Sequence, residues 1–228
     1  MQCNVTERLS ISFIGSQKMK NQNQMKLNLL EFVLMNSPIR SYFQENYELP
    51  ILMDMLSLND RNFGSVLEIG CGNGYGTTLI KKNLNPRRIT GVDIDEKMIQ
   101  IAKRKVQDDS INFLLMDASR LSFADEKFDA IFNFGIIHHI PDWKECINEL
   151  KRVLRCGGKL IMEDLSIETF SGFPGKIWKK LLAHPYNQMY STNDFMKQLE
   201  KTGFVINDLK ISNPLKMMRH FSLVANAS

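Results

Sequence analysis

No two of the four cysteines, Cys3, Cys71, Cys146 and Cys156, stand at C-x-x-C spacing, and none pairs with a histidine at zinc-like spacing. That pattern excludes a disulfide scaffold and a zinc ribbon; reduced thiols in a cytoplasmic protein are the simple reading. No apolar run approaches the roughly 18–20 residues of a membrane span, so no stable membrane insertion is expected. The N-terminal "MQCNVTERLSISFIGSQKMKNQNQ" is too polar and broken for a signal peptide. Charge of one sign is also lacking. The 29 basic and 25 acidic residues leave a net +4, and the Lys and Arg residues are spread along the chain. A dedicated nucleic-acid surface is therefore not expected. There is no internal repeat. What remains, 228 residues with 43% hydrophobic and 24% charged, suits one globular domain with some decoration.

Residues 1–24 are rich in Asn, Gln and Ser and read as a flexible arm. Residues 25–62 show helical periodicity through Leu27, Leu30, Leu34, Leu49, Leu52, Met55 and Leu56, interrupted by Pro38 and Pro50, and read as a helical cap of short helices. From 63 to the end the texture becomes strand, helix, strand. Val66–Ile69, Arg88–Asp93, Ile111–Met116, Phe128–Phe134 and Lys159–Glu163 are predicted strands. The predicted helices between them begin after Gly74, at Asp95 as N-cap, and at Asp142, with Glu145 placed to complete a capping box and Gly157-Gly158 to end that helix. Residues 165–191 break the rhythm with Phe170, Phe173, Trp178, His184, Tyr186 and Tyr190, and read as a lid on the ligand edge of the sheet. Thr192–Lys201 is a predicted helix, and Phe204–Ile211 and Leu215–Val224 are predicted closing strands. The pattern predicts an α/β fold, a doubly wound parallel sheet with helices on both faces.

The chemistry centres on "VLEIGCGNGYGT", residues 66–77. A strand that runs into glycines and then a helix start is a cradle for an anionic or polar ligand. No lysine follows Gly76, which excludes a P-loop, and Tyr75 and Thr77 occupy the places where a dinucleotide fingerprint needs its third glycine. Asp93 ends the second predicted strand, where a carboxylate can accept from both hydroxyls of a ribose.

"VLEIGCGNGYG", "GVDIDEKMI", "FLLMDASRLSF", "FDAIFNFGIIHHIPDW" and "LKRVLRCGGKLIMED" stand in this order between about residues 65 and 164. Together they resemble the motif set of class I S-adenosylmethionine-dependent methyltransferases, in the small-molecule branch that includes the ubiquinone and menaquinone methylases. The resemblance implies a Rossmann-like seven-stranded sheet with the last strand antiparallel, and S-adenosyl-L-methionine as cofactor. That ligand carries no phosphate, in keeping with a glycine cradle that has no lysine. The helix start after Gly74 favours its carboxylate, and Glu68 can attract its ammonium. Gly70, Cys71, Gly72 and Gly74 form the loop. The resemblance also implies Ile94 on the adenine, Asp117 at the adenine amino group, the Ala118 backbone at the ring, and Asn133 and Phe134 flanking the methionine portion.

Methyl transfer from a sulfonium needs alignment and exclusion of water first, and a general base only where the acceptor loses a proton. His138, His139 and Glu163 are the candidate catalytic residues, with Asp164 beside them. The adjacent histidines are expected to point in different directions, with His138 slightly favoured to face the site. No metal is expected. Asn133-Phe134-Gly135-Ile136 lacks the Asn/Asp-Pro-Pro-aromatic signature of amide and base methylases. The partner is then a small-molecule acceptor, and the aromatic content of the cap and lid suggests an apolar or aromatic one. The alternative readings are a nicotinamide-dependent oxidoreductase and a non-catalytic S-adenosylmethionine-binding protein. Nothing in the sequence assigns an oligomeric state.

Overall fold

The computed structural model describes residues 36–57, 61–173, 175–182, 184–214 and 218–228. The reading of 1–24 as an arm falls outside them. A helical stretch opens the described chain as α1 (Pro38–Phe43), a π-helical turn (Gln44–Glu48) and α2 (Leu49–Met55). Pro38 sits in the first turn of α1, where its missing N–H costs nothing, and the Ser37 hydroxyl caps that turn by accepting from the Arg40 N–H at 3.2 Å. Pro50 does not stop the helix. The wider π turn precedes it and relieves the clash that proline makes with the carbonyl four residues back.

The sheet follows as β1 (Ser65–Ile69), α3 (Tyr75–Leu84), β2 (Arg88–Asp93), α4 (Glu96–Lys105), β3 (Ile111–Leu115), β4 (Phe128–Phe134), α5 (Trp143–Val153) and β5 (Leu154–Leu165). A lid with a short α6 (Gly175–Leu181) leads to α7 (Thr192–Thr202), β6 (Phe204–Ser212) and β7 (His220–Ala227). The strand order is β3-β2-β1-β4-β5-β7-β6, with seven strands. Strands β1 to β5 pair in parallel, and β7 runs antiparallel to both β5 and β6.

Period-two alternation sends the strand side chains to two cores. Leu67, Ile69 and Ile131 face Trp143, Ile147 and Leu150 of α5 and Phe195 and Leu199 of α7. Val66, Ala130 and Phe132 face Leu79 and Ile80 of α3, together with Leu49 and Leu52 of α2. Helix α2 is thus built into the core of one sheet face. At roughly 1.5–3 kcal/mol for each fully buried aliphatic side chain, Leu49 and Leu52 make α2 an integral layer.

Three local expectations are corrected. Asp142 stands at the N-cap of α5 but makes no side-chain capping bond, and Glu145 instead accepts from Asn148 at 3.1 Å. Helix α5 ends at Val153, before Gly157-Gly158, because the chain passes straight into β5. Gly157, at φ +75°, serves an irregularity in the β4–β5 register between Phe128 and Ala130. The last strand begins at His220, later than expected, and 215–217 lie outside the described residues.

Candidate active site

The strand order reverses between β1 and β4, and ligands of open α/β sheets sit beyond the C-terminal ends of the strands at that point. Gly70, Gly72 and Gly74 follow β1 with φ of +62°, +52° and +84°. A side chain at Gly72 would meet no atom within 4 Å, so the loop's bare backbone faces open space where a ligand can lie against it. Gly76 has a different role. A Cβ there would run into the Glu68 carboxylate and come within 2.7 Å of Gln44 Nε2. Its bareness lets the first turn of α3 close over Glu68.

Glu68 lies 1% exposed beneath that turn and accepts a hydrogen bond from the Thr77 hydroxyl. Burial pushes its carboxyl up to about 8, although Thr77 works against the shift. A cation arriving here would find a group that gains from ionising. Asp93, half-buried at the end of β2, is held at both oxygens. Gly72 N–H donates to Oδ2 at 2.8 Å and Asp95 N–H to Oδ1 at 2.9 Å. Burial raises it above the usual carboxylate range while these donors pull it back. Ile94, next in the chain, is 49% exposed, a flat apolar surface beside a fixed carboxylate. Asp95 caps α4 by accepting from Lys97 N–H at 2.8 Å. After β3, Asp117 accepts from the N–H and hydroxyl of Ser119 at 2.8 and 2.7 Å, which fixes the turn that holds buried Ala118. Cys71 is buried in the loop, its N–H on the Val92 carbonyl at 3.0 Å, and burial drives its thiol well above the ordinary range.

Past β4 the side chains are tied together. Asn133 is fully buried, and its amide donates to Asp164 Oδ2 at 2.8 Å and the Glu163 carbonyl at 3.0 Å while accepting from Ile136 N–H at 3.0 Å. Its side chain is thus committed to shaping the turn after β4. Phe134 is buried and stacks on Phe132 with centroids 6.2 Å apart. Asp164 also accepts from Ile137 N–H at 2.9 Å and Leu165 N–H at 2.7 Å, and holds His138 Nδ1 at 2.5 Å. Burial raises Asp164 to about 6 against these donors.

The two histidines do not diverge. They share a 3₁₀ turn (Ile137–His139) with ring centroids 4.1 Å apart, and both face His184 of the lid, at 5.0 and 4.4 Å. His138 is the buried member and His139 is half-buried, so His139 is the more open of the two to solvent. Burial holds both imidazoles well below their ordinary range and therefore neutral.

Sequence reasoning missed four participants. His220 Nδ1 bonds Glu163 Oε1. Burial opposes a charge on His220, but Glu163 and Glu48 outweigh it and raise the imidazole. Arg40 forms a bidentate pair with Glu48 at 2.8 and 2.9 Å and donates to the Phe134 carbonyl at 3.1 Å. Burial nevertheless raises Glu48 to about 7. His184 is the fourth. Only His184, an aromatic-rich neighbour of a proline in the lid, had a signal in the sequence. Arg40, Glu48 and His220 reach the site through long-range packing. Among the described residues, then, two groups of potential metal donors stand at this edge, His138–His139–His184 and Glu48–Glu163–His220.

A seven-stranded sheet of this order, with a glycine loop after β1 and carboxylates at the ends of β2 and β3, is the fold found in solved S-adenosylmethionine-dependent methyltransferases. Residues 67–162 match the family described as "Methyltransferase domain". Over 100 residues the chain is 35% identical to the phthiotriol/phenolphthiotriol dimycocerosates methyltransferase of Mycobacterium tuberculosis, a match covering 44% of this chain and 37% of that relative. It is 34% identical over 99 residues to the fatty-acid O-methyltransferase of Mycolicibacterium smegmatis, covering 43% and 36%. The aligned part is thus little more than a third of either relative's length. A solved S-adenosylmethionine-dependent methyltransferase of Aquifex aeolicus shares the fold with a TM-score of 0.68 at 19% identity, over 89% of this chain and all of that one. Among the described residues no helix is long and apolar enough to cross a membrane.

Proposed function

We propose that this protein transfers a methyl group from S-adenosylmethionine to a small apolar acceptor. The observation that carries this reading is the set of groups fixed at one sheet edge within the matched domain: the open backbone at Gly72, the Asp93 carboxylate bonded to it, and buried Glu68 behind. This set fits the cofactor. Glu68 meets its ammonium, Asp93 its ribose hydroxyls, Ile94 and Ala118 the adenine faces and Asp117 the adenine amino group. Gly70, Cys71 and Gly74 support the loop, Asn133 shapes the neighbouring turn, and the Phe134 backbone borders the methionine end. When bound, S-adenosylmethionine supplies a methyl group on a positively charged sulfur. The chain's residues align the acceptor with it and exclude water. Glu163 and His220, hydrogen-bonded to each other, are the groups that can take a proton from an acceptor hydroxyl. The acceptor belongs to the lipid-like kind named for the two mycobacterial relatives. The aromatic lid supports this choice, with Phe170 on Tyr186 at 5.1 Å. A cytoplasmic setting goes with the free thiols of Cys71, Cys146 and Cys156.

The test combines binding with turnover. Calorimetry of the full chain should show S-adenosylmethionine binding that Asp93→Ala abolishes, and labelled methyl should pass to an apolar metabolite fraction with release of S-adenosylhomocysteine. Unchanged affinity in Asp93→Ala would sink the site assignment.

A further inference from the structure

The three imidazoles at the lid do not resemble a packing accident. His138 and His139 come from the turn after β4, His184 from 45 residues further along in the lid, and each offers one nitrogen lying within 4.8 Å of the nitrogens offered by the other two. The Nδ1 atoms of His139 and His184 face each other at 3.2 Å. Two imidazole nitrogens on one tetrahedral ion with bonds of about 2.0–2.1 Å stand roughly 3.3–3.4 Å apart. The observed spacing is that of one edge of such a tetrahedron. His138 is prepared differently. Its Nδ1 is held by buried Asp164 at 2.5 Å, which leaves Nε2 as the nitrogen it can offer. A carboxylate that orients the far nitrogen of a histidine is the usual outer support of a histidine ligand. Asp164 is itself fixed by Asn133, Ile137 and Leu165, so the support is rigid.

We propose that His138, His139 and His184 bind one divalent ion of the zinc class, with Asp164 as the outer partner of His138. The ion ties the lid to the turn after β4. Three nitrogen ligands leave the fourth position for water or another oxygen, the pattern of zinc sites that handle substrate and not of purely structural ones. If the methyl acceptor is an alcohol or acid, its oxygen can take that position. The ion site itself does not depend on the methyltransferase reading. The second donor group, Glu48–Glu163–His220, is the weaker candidate because Arg40 already occupies the Glu48 carboxylate with two hydrogen bonds.

The experiment uses full-length chain without an affinity tag, stripped with a chelator and titrated with Zn²⁺ against a chromophoric competitor. Co²⁺ gives an independent readout through its visible spectrum. We expect one equivalent to bind, with the intense visible absorption of a tetrahedral site. His184→Ala and His139→Ala should each weaken binding by more than the roughly 10- to 100-fold that outer-shell partners cost, and Asp164→Asn by an amount within that range. Glu163→Gln should bind as the wild type does. Circular dichroism and thermal melting show that each variant is folded; His184→Gln replaces the alanine variant if the latter fails that check. Absence of stoichiometric binding, or binding unaltered in the His184 variant, overturns the proposal. Loss in Glu163→Gln with retention in the His184 variant overturns it too, since the ion would then sit in the other group.

Discussion

Glu68 is a carboxylate that the fold keeps buried at a cost to its own stability. It is buried on the α3 side of β1, and its carboxyl is raised from 4.5 to about 8, with burial the main cause. The folded protein therefore holds a proton on Glu68 in a range where the unfolded chain has released it. Stability falls as pH rises from about 4.5 to about 8 and levels off above, by an amount on the order of 3–5 kcal/mol at roughly 1.4 kcal/mol per pH unit. Glu68→Gln keeps an acceptor for the Thr77 hydroxyl and removes this dependence. We expect the apo-variant to melt higher than the wild type at pH 8.5, with the difference vanishing near pH 4.5. S-adenosylmethionine affinity should fall in the same variant by about 10- to 100-fold, the worth of a charge-assisted hydrogen bond. At pH 7 its binding to the wild type should release a proton, seen by calorimetry in buffers of different ionisation enthalpy. Equal stability of the two proteins at pH 8.5 would refute the burial argument.

Among the elements, the lid is the one whose role separates from the donor loop. It leaves β5 through a 3₁₀ turn (Ile167–Phe170), where Phe170 is 2% exposed and packs against Tyr186 at 5.1 Å and His184 at 5.3 Å. Glu168 pins the far end by accepting from Thr192 N–H at 3.2 Å. Phe170→Ala removes the anchor, and a phenylalanine lost from such packing costs about 3–5 kcal/mol locally. These hydrogen bonds and ring contacts of the turn run to Thr192, His184 and Tyr186 rather than to Gly72, Asp93 or Glu68. The variant should keep its S-adenosylmethionine affinity, raise KM for the acceptor, and show faster amide exchange across 167–190. A change in cofactor affinity with normal acceptor KM would mean that the lid belongs to the donor site. Because the internal contacts of this segment are aromatic and non-periodic, the sequence did not disclose that His184 would meet His139. The candidate donor residues could be named from the sequence for the opposite reason. Gly70 and Gly72 lie just past β1, Asp93 ends β2 and Asp117 lies two residues past β3, so finding the strands located them.

At the scale of the molecule, the β1–β5 sheet was readable because buried parallel strands are short apolar runs bounded by turn residues. What stayed hidden depends on pairings across the chain. Arg40 and Glu48 arrive on the N-terminal helices, and His220 reaches Glu163 only through the antiparallel register of β5 with β7, where Leu165 pairs His220. The site thus draws on both ends of the described chain, and a ligand that binds it should stabilise the whole fold. With S-adenosylhomocysteine at 100 times its Kd the gain is about 2.7 kcal/mol. For a chain of this size that is a melting shift of about 5–10 °C. NADH at the same concentration should leave the melting temperature unchanged, since the third glycine of a dinucleotide loop is replaced by Tyr75 or Thr77. A shift with NADH and none with S-adenosylhomocysteine would move the protein to oxidoreductase chemistry. A shift with S-adenosylhomocysteine that survives in Asp93→Ala would keep the ligand but relocate its ribose.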